Sequence, residues 1–353
     1  MKIGIVGLPG SGKTTIFNAL TGGHAETSSY SGAKKEVNLA IVNVPDKRLD
    51  ALSDMYKPKK TIHAQVQYVD VGGGISGKDA DGRAKDASMD EILRLLRPVD
   101  ALVHVIRNFE RPGDAADPQR DLEAFESELV LTDLIALERR IEKVEKEIIK
   151  GKKGDPNEFE LLKKAYEVLN SGHALRSLNK IAMSPLLKGY ALLSAKPCIV
   201  VLNSADELSV GETHLVAPEG VVTVEIKGRL EMELKELQPD EAEAFRKDLG
   251  LSIPATDRLI QESYALLGLI SFFTVGEDEV RAWDIAAGTH AQKAAGVIHS
   301  DIEKGFIRAE VVSYEDLMSH GSYVAAQRAG KVRLEGKDYV IKDGDVVNFR
   351  FNV

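Results

Sequence analysis

The sequence predicts an α/β domain that carries an inserted pair of long helices and is followed by a small mixed domain, on three observations. The apolar run Ile3, Gly4, Ile5, Val6 feeds straight into Gly7-Leu8-Pro9-Gly10-Ser11-Gly12-Lys13-Thr14-Thr15, which is a buried strand entering a glycine-rich turn and then a helix. Val130, Leu134, Leu137, Ile141, Val144 and Ile148 recur at alternating steps of four and three, the seam of a coiled coil. From about Leu269 onward the character changes to short strand-like runs separated by tight turns.

The glycine-rich turn is a P-loop, G-x-x-x-x-G-K-[ST]. Such a loop turns its backbone N–H groups inward, where they and the N-terminus of the following helix meet phosphate oxygens. Gly7, Pro9, Gly10, Ser11, Gly12, Lys13, Thr14 and Thr15 are therefore the expected phosphate-binding residues. Pro9 stiffens the loop, Gly10 and Gly12 permit close approach, Lys13 reaches the β- and γ-phosphates, and the Thr14 hydroxyl holds Mg²⁺.

Beyond the P-loop helix, residues 22–35 are polar, rich in Ser and Gly, and lack hydrophobic period. They read either as a plain surface loop or as a segment that folds over the γ-phosphate, where Thr27, Ser28, Ser29 or Ser31 offers a second hydroxyl to the metal. Val37, Leu39 and Ile41 alternate, as do Ala64, Val66 and Tyr68, which suggests an antiparallel pair beside a parallel sheet. The second run ends in Asp70-Val71-Gly72-Gly73, a D-x-x-G frame. In that frame Asp70 stands on the Mg²⁺ side and Gly73 gives a backbone N–H to the γ-phosphate. Gly74 stands where many switch GTPases carry a water-positioning Gln, so any hydrolysis is expected to be slow without a partner.

Residues 89–96 read as a helix and Ala101 to Ile106 as a buried strand that holds His104, expected to be a packed, hydrogen-bonded core histidine rather than a ligand. The helical seam breaks at residues 151–157 and resumes at Phe159, Leu162, Tyr166 and Leu169, giving an antiparallel hairpin. Lys146, Lys150, Lys152 and Lys153 flank its turn, either as a contact for phosphate backbone or as a solvated helix end. Cys198 to Leu202 is a further buried strand ending in Asn203-Ser204-Ala205-Asp206. This fits an N-x-x-D frame in which Asn203 and Asp206 read a purine edge, with Ser204 in place of the usual Lys. A strand at 221–224 precedes Glu225-Ile226-Lys227, whose backbone is positioned to close over the base, and 232–249 reads as one amphipathic helix. In the last part, strands are expected at 272–275, 309–312, 332–334, 339–341 and 346–351, with Trp283 as a packing residue.

The chain has 353 residues, 43% of them hydrophobic, enough for two or three cores. No apolar stretch approaches the roughly 20 residues of a membrane helix, and Met1-Lys2 leads directly into the first strand, so a cytoplasmic protein is expected. A formal net charge of −9 argues against binding nucleic acid by bulk charge; no DNA contact is expected, and RNA contact must come from local basic patches. The single Cys198 has no disulfide partner, and the eight histidines form no metal-binding pair.

The ordered set of P-loop, D-x-x-G, helical hairpin, N-x-x-D and small C-terminal domain resembles the YchF-type Obg-like ATPases of the translation-factor class. So do residues 44–52, 281–310 and 334–353, and the resemblance covers essentially the whole chain. It implies a Ras-like P-loop NTPase domain over residues 1–118 and 196–268, an inserted coiled-coil hairpin over 119–195, and a C-terminal β-grasp (TGS) domain over 269–353. It also implies Mg²⁺-dependent hydrolysis of ATP or GTP as a conformational switch, with the ribosome or ribosomal RNA as partner. Four positions depart from the family pattern: Gly10 where Asn is usual, an Asn that related GTPases use in potassium-assisted hydrolysis; Ser11 where Val is usual; Lys34 where a switch Thr is usual; and Asp206 where Glu is usual. ATP and GTP both remain open as substrate, and a nucleotide-gated ribosome- or RNA-binding scaffold with negligible turnover is the alternative function. A small-molecule kinase is the weakest reading, because the D-x-x-G and N-x-x-D frames suit a switch.

Overall fold

The computed structural model describes residues 1–22, 38–71, 76–78, 84–86, 89–150, 155–207, 215–249 and 253–352. The chain divides into two compact units, Met1–Ile41 with Gln67–Leu259, and Val42–Val66 with Ile260–Val353.

The first unit is built on a six-stranded sheet in the order Asn38–Asn43, Gln65–Asp70, Lys2–Val6, Ala101–Asn108, Cys198–Ser204, Val222–Ile226. From Gln65–Asp70 to Val222–Ile226 every neighbouring pair is parallel. Parallel strands need crossovers that cover both faces, which explains why Ala101–Asn108 and Cys198–Ser204 are buried along their whole length. The helix Lys13–Thr21 buries Ile16, Phe17, Ala19 and Leu20, and the helix Met89–Leu96 falls where its apolar period places it.

The expected hairpin comprises the helices Pro118–Ile149 and Pro156–Asn170. Both begin with Asp-Pro, and the reason is physical. Asp117 and Asp155 cap free N–H groups, accepting from Arg120 N at 3.0 Å and Asn157 N at 2.9 Å, while proline occupies the first turn where its missing N–H costs nothing. The seam packs Val130, Leu137 and Val144 with Leu162, Ala165 and Leu169, and Arg140 pairs with Glu158 at 2.9 Å across it. Lys152 and Lys153 of its turn lie outside the described residues.

The second unit holds a six-stranded sheet in the order Arg333–Glu335, Phe306–Ser313, Asp345–Phe351, Leu269–Val275, Glu279–Ala286, Lys60–Ile62. The helix Ala291–Ile298 packs its alanines against Phe272, Ile285, Val311 and Phe349. The segment Val42–Val66, which the sequence reading assigns to the first domain, belongs to this unit. It supplies the helix Lys47–Tyr56 and an edge strand paired to Glu279–Arg281. Arg48 fixes it, donating to Asp46 and to Asp343 (2.7 Å) with its guanidinium 5.3 Å from the centre of the Phe273 ring. Trp283 is a packing residue, donating through Nε1 to Thr274 Oγ1 and lying beneath Arg281.

Four local expectations change. In Asn38–Asn43 the buried residues are Ala40 and Val42 while Ile41 is 54% exposed, so the strand shows the face opposite to the one its larger side chains suggest. The helix expected over 232–249 is two, Gly228–Glu236 and Pro239–Asp248, because Pro239 cannot continue a helix and instead starts one. Residues 339–341 contribute one isolated bridge, His290 to Val340, rather than a strand. The strand Glu279–Ala286, interrupted by the charged Glu279, Arg281 and Asp284, is additional. Among the described residues no helix is long and apolar enough to cross a membrane.

His104 lies inside Ala101–Asn108, 1% exposed, with its ring 4.5 Å from that of Phe125; it is packed as expected, but its buried Nδ1 has no hydrogen-bond partner among the described residues. Burial, aided by the charges of Arg176 and Lys13, pushes its pKa down to about 3, so the folded imidazole stays neutral. The unfolded chain binds a proton near pH 6.5 that the folded chain refuses, and this stabilisation is complete above that pH and is lost as pH falls toward 3. Between pH 8 and pH 5 the first unit should lose about 2 kcal/mol through this residue. Urea denaturation over that range should show the slope in the native sequence and a flatter one in His104→Leu; identical slopes would place the pH dependence elsewhere.

Candidate functional site

Parallel pairing makes the five strands from Gln65–Asp70 to Val222–Ile226 end along one edge, where Lys13, Thr14, Asp70, Asn203 and Asp206 lie. The loop after Lys2–Val6 is wound by positive φ at Gly10 (75°) and Gly12 (92°), a region that side chains with a Cβ avoid. A methyl at Gly12 would also run into the Asn203 amide. The helix Lys13–Thr21 then starts with no side-chain cap and no acidic residue in its first turn. Its N–H groups and positive dipole end are thereby left for an anion.

Lys13 Nζ donates to the carbonyls of Gly7 (3.2 Å) and Leu8 (3.0 Å), curling back over the loop. Its pKa is lowered by burial, opposed by Asp70 and reinforced by the charge of Arg111. Thr14 Oγ1 donates to Asp70 Oδ2 at 3.1 Å, so the two oxygens expected to face a metal are adjacent although 56 residues apart in sequence. Such a hydroxyl and carboxylate suit a small, hard divalent cation that keeps waters and phosphate oxygens as its other ligands. Among the described residues no group of three or more His, Cys, Asp or Glu forms a protein-only metal cage. Gly73 and Gly74, together with Thr27, Ser28, Ser29, Ser31 and Lys34, lie outside the described residues. Pro9 is exposed, Thr15 half-buried, and the buried Ser11 has a hydroxyl without a hydrogen-bond partner.

The N-x-x-D residues come to the same edge in different roles. Asn203, 3% exposed, donates through Nδ2 to Ser11 O (3.0 Å) and accepts through Oδ1 from Gly228 N–H (3.1 Å), tying the phosphate loop to the helix Gly228–Glu236. Asp206 keeps one buried carboxylate oxygen without a partner, while its carbonyl accepts from Lys227 Nζ at 2.7 Å. Glu225 and Ile226 complete the strand, and Lys227 acts through its side chain. Ser204 joins Asn108 (2.9 Å) to Glu225 (2.7 Å) beneath this pocket.

Asn108, Phe109 and Arg111 are not singled out by the sequence, and Lys227 is expected there through its backbone, not through the side chain that holds Asp206 O. Asn108, Phe109 and Arg111 end or follow the strand Ala101–Asn108, and no motif marks them. The available signal is Arg111-Pro112-Gly113-Asp114, a turn sequence directly after the strand that neighbours the P-loop strand. Cys198 is buried, and its thiol pKa is pushed up to about 12 by that burial, which makes it an inert core residue.

This fold and this edge define a P-loop nucleotide-binding protein. Comparison with known proteins agrees. Residues 2–149 match a family model described as "50S ribosome-binding GTPase", and residues 269–352 match YchF-GTPase_C, described as a protein of unknown function. The chain is 40% identical to the "Ribosome-binding ATPase YchF" of Bacillus subtilis, covering 100% of both chains. It is 39% identical to that of Haemophilus ducreyi, covering 100% of this chain and 99% of the relative. The solved structure of the Schizosaccharomyces pombe YchF GTPase superposes with a TM-score of 0.83 at 29% identity, over 99% of this chain and 97% of that one. The chain belongs to the YchF family.

Because Asn203 bridges two buried backbone groups, Asn203→Ala should leave Ser11 O and Gly228 N–H without partners, at about 1–3 kcal/mol each. The first unit should unfold at correspondingly lower urea; an unchanged midpoint would mean that the loop is held by its glycines alone.

Proposed function

We propose that this chain binds ATP or GTP with Mg²⁺ and hydrolyses it to the diphosphate, as a conformational switch that operates on the ribosome in the cytoplasm. The observation that carries the reading is the convergence of an uncapped helix N-terminus, the Lys13 ammonium and the Thr14–Asp70 oxygen pair at one sheet edge. Lys13 and the loop amides stabilise the charge of the transferring phosphoryl group, and Thr14 and Asp70 hold the metal, whose contribution is to neutralise phosphate charge. Gly73 gives its N–H to the γ-phosphate.

The unpartnered oxygen of Asp206 supports it as an acceptor for a purine amino group, which both purine bases offer at different edges. Asn203 has one amide hydrogen and one Oδ1 lone pair left for the base, since the others already engage Ser11 and Gly228. The names of the relatives, ribosome-binding ATPases, support the ribosome as partner, met through the lysine-flanked hairpin turn, the C-terminal TGS unit or both. Gly74 favours slow turnover without that partner. In its extreme form the same feature supports the second reading, a nucleotide-gated ribosome-binding scaffold whose turnover is negligible.

The test is a titration of nucleotide-free protein with fluorescent ATP and GTP analogues in Mg²⁺, with Lys13→Ala beside it, followed by phosphate release with and without ribosomes. Lys13-dependent binding, weakened at least tenfold in the variant, is expected, and release should rise on ribosomes. Binding indifferent to Lys13 would remove the proposal, whereas binding with silent release in both conditions would establish the scaffold.

A further inference from the structure

The geometry points to Arg111 as a catalytic residue of the phosphate site, an arginine supplied by the chain itself that grips the transferring phosphoryl group. This rests on the hydrolase reading above. Arg111 is half-buried at the rim of the P-loop, where its Nη2 donates to the carbonyl of Gly10. A Cβ placed at Gly10 would fall within the Arg111 guanidinium, so the absent side chain at position 10 is the room that the guanidinium occupies. Among the described residues that carbonyl is the only hydrogen-bond partner of the side chain, and no carboxylate pairs with it. Its other contact is the face of the Phe109 ring, 5.8 Å from the ring centre. A cation held beside a phosphate loop without a counter-charge has donors available for an incoming anion.

The backbone beneath it is braced. Arg111 and Asp114 exchange backbone hydrogen bonds of 3.2 and 3.0 Å around Pro112 and Gly113 (φ 78°), a tight turn whose third position requires the glycine. Arg107, 4% exposed, holds that turn from below. Its guanidinium donates to the carbonyls of Phe109 (3.3 Å), Asp114 (2.9 Å) and Ala115 (3.2 Å) and pairs with the Asp114 carboxylate. Arg111 is thus presented by a fixed turn on the strand beside the P-loop strand, while its own side chain is free to exchange the Gly10 carbonyl for phosphate oxygens. Lys13 is parked in the same way on the carbonyls of Gly7 and Leu8, so two cations flank one loop.

In the reaction a water oxygen forms a bond to the γ-phosphorus as the bond to the β–γ bridging oxygen breaks. The diphosphate leaves with the electron pair, and the water proton ends on the released phosphate. Arg111 stays protonated throughout and donates to the oxygens on which negative charge grows.

Single-turnover hydrolysis and nucleotide affinity are measured on the full chain for the native sequence, Arg111→Ala, Arg111→Lys and Lys13→Ala. Retention of a nucleoside diphosphate with aluminium fluoride, which mimics the transferring group, is measured alongside. Arg111→Ala should slow hydrolysis by at least about 10²-fold with affinity for the diphosphate nearly unchanged, and should lose the aluminium fluoride complex, while Arg111→Lys recovers part of both. Unchanged hydrolysis in Arg111→Ala, or equal losses of rate and affinity with the aluminium fluoride complex retained, overturns the role. Absence of Lys13-dependent hydrolysis in the native sequence removes the hydrolase reading and this role together, whereas Lys13-dependent hydrolysis indifferent to Arg111 removes this role alone.

Discussion

Parallel pairing around Lys2–Val6 is the constraint from which the rest of the first unit follows. Because this strand runs parallel to both Gln65–Asp70 and Ala101–Asn108, their carboxyl ends emerge at one edge, and residues far apart in sequence become neighbours there. Buried polar side chains gather at the same edge: Ser11, Asp70, Asn108, Asn203 and Ser204. Burying so many polar groups is costly unless they pair, and several pair with one another or with backbone. Their mutual bonds hold the phosphate loop in shape before any ligand arrives, which lowers what ordering costs when a nucleotide binds.

Short-range patterns made much of this legible from sequence. The P-loop is a contiguous motif, so its backbone conformation and its helix follow from local chemistry. The hairpin is legible because a helix repeats its buried face at fixed steps, whereas the Asp-Pro start of each of its helices emerges only in the structure. The buried strands around His104 and Cys198 are legible as continuous apolar runs.

What escaped depends on tertiary contacts. The inward face of Asn38–Asn43 is chosen by its place at the edge of the sheet, so small Ala40 turns in and Ile41 turns out. Three charged residues, Glu279, Arg281 and Asp284, conceal the strand Glu279–Ala286, where Arg281 covers Trp283 and only Val280, Ala282 and Ile285 are buried. Arg111 has no motif to announce it, since its meaning comes from Gly10, 101 residues earlier in the chain. Asn203 is recognisable as a motif residue, but only the fold reveals that half of its bonding capacity faces the protein.

The second unit is discontinuous in sequence, because Val42–Val66 belongs to it while the family model for the C-terminal region begins at 269. A fragment excised at that boundary would lose the Lys60–Ile62 strand and leave Glu279–Ala286 as a bare edge, open to pairing with other chains. It would also lose Arg48 from beside Asp343 and Phe273. Synthesis from the N-terminus imposes the same order on folding: Val42–Val66 leaves the ribosome early and waits for more than two hundred residues before its sheet exists. Helix Lys47–Tyr56 is thus an unpartnered amphipathic segment during much of translation, and the last strand, Asp345–Phe351, closes a unit begun near the start of the chain.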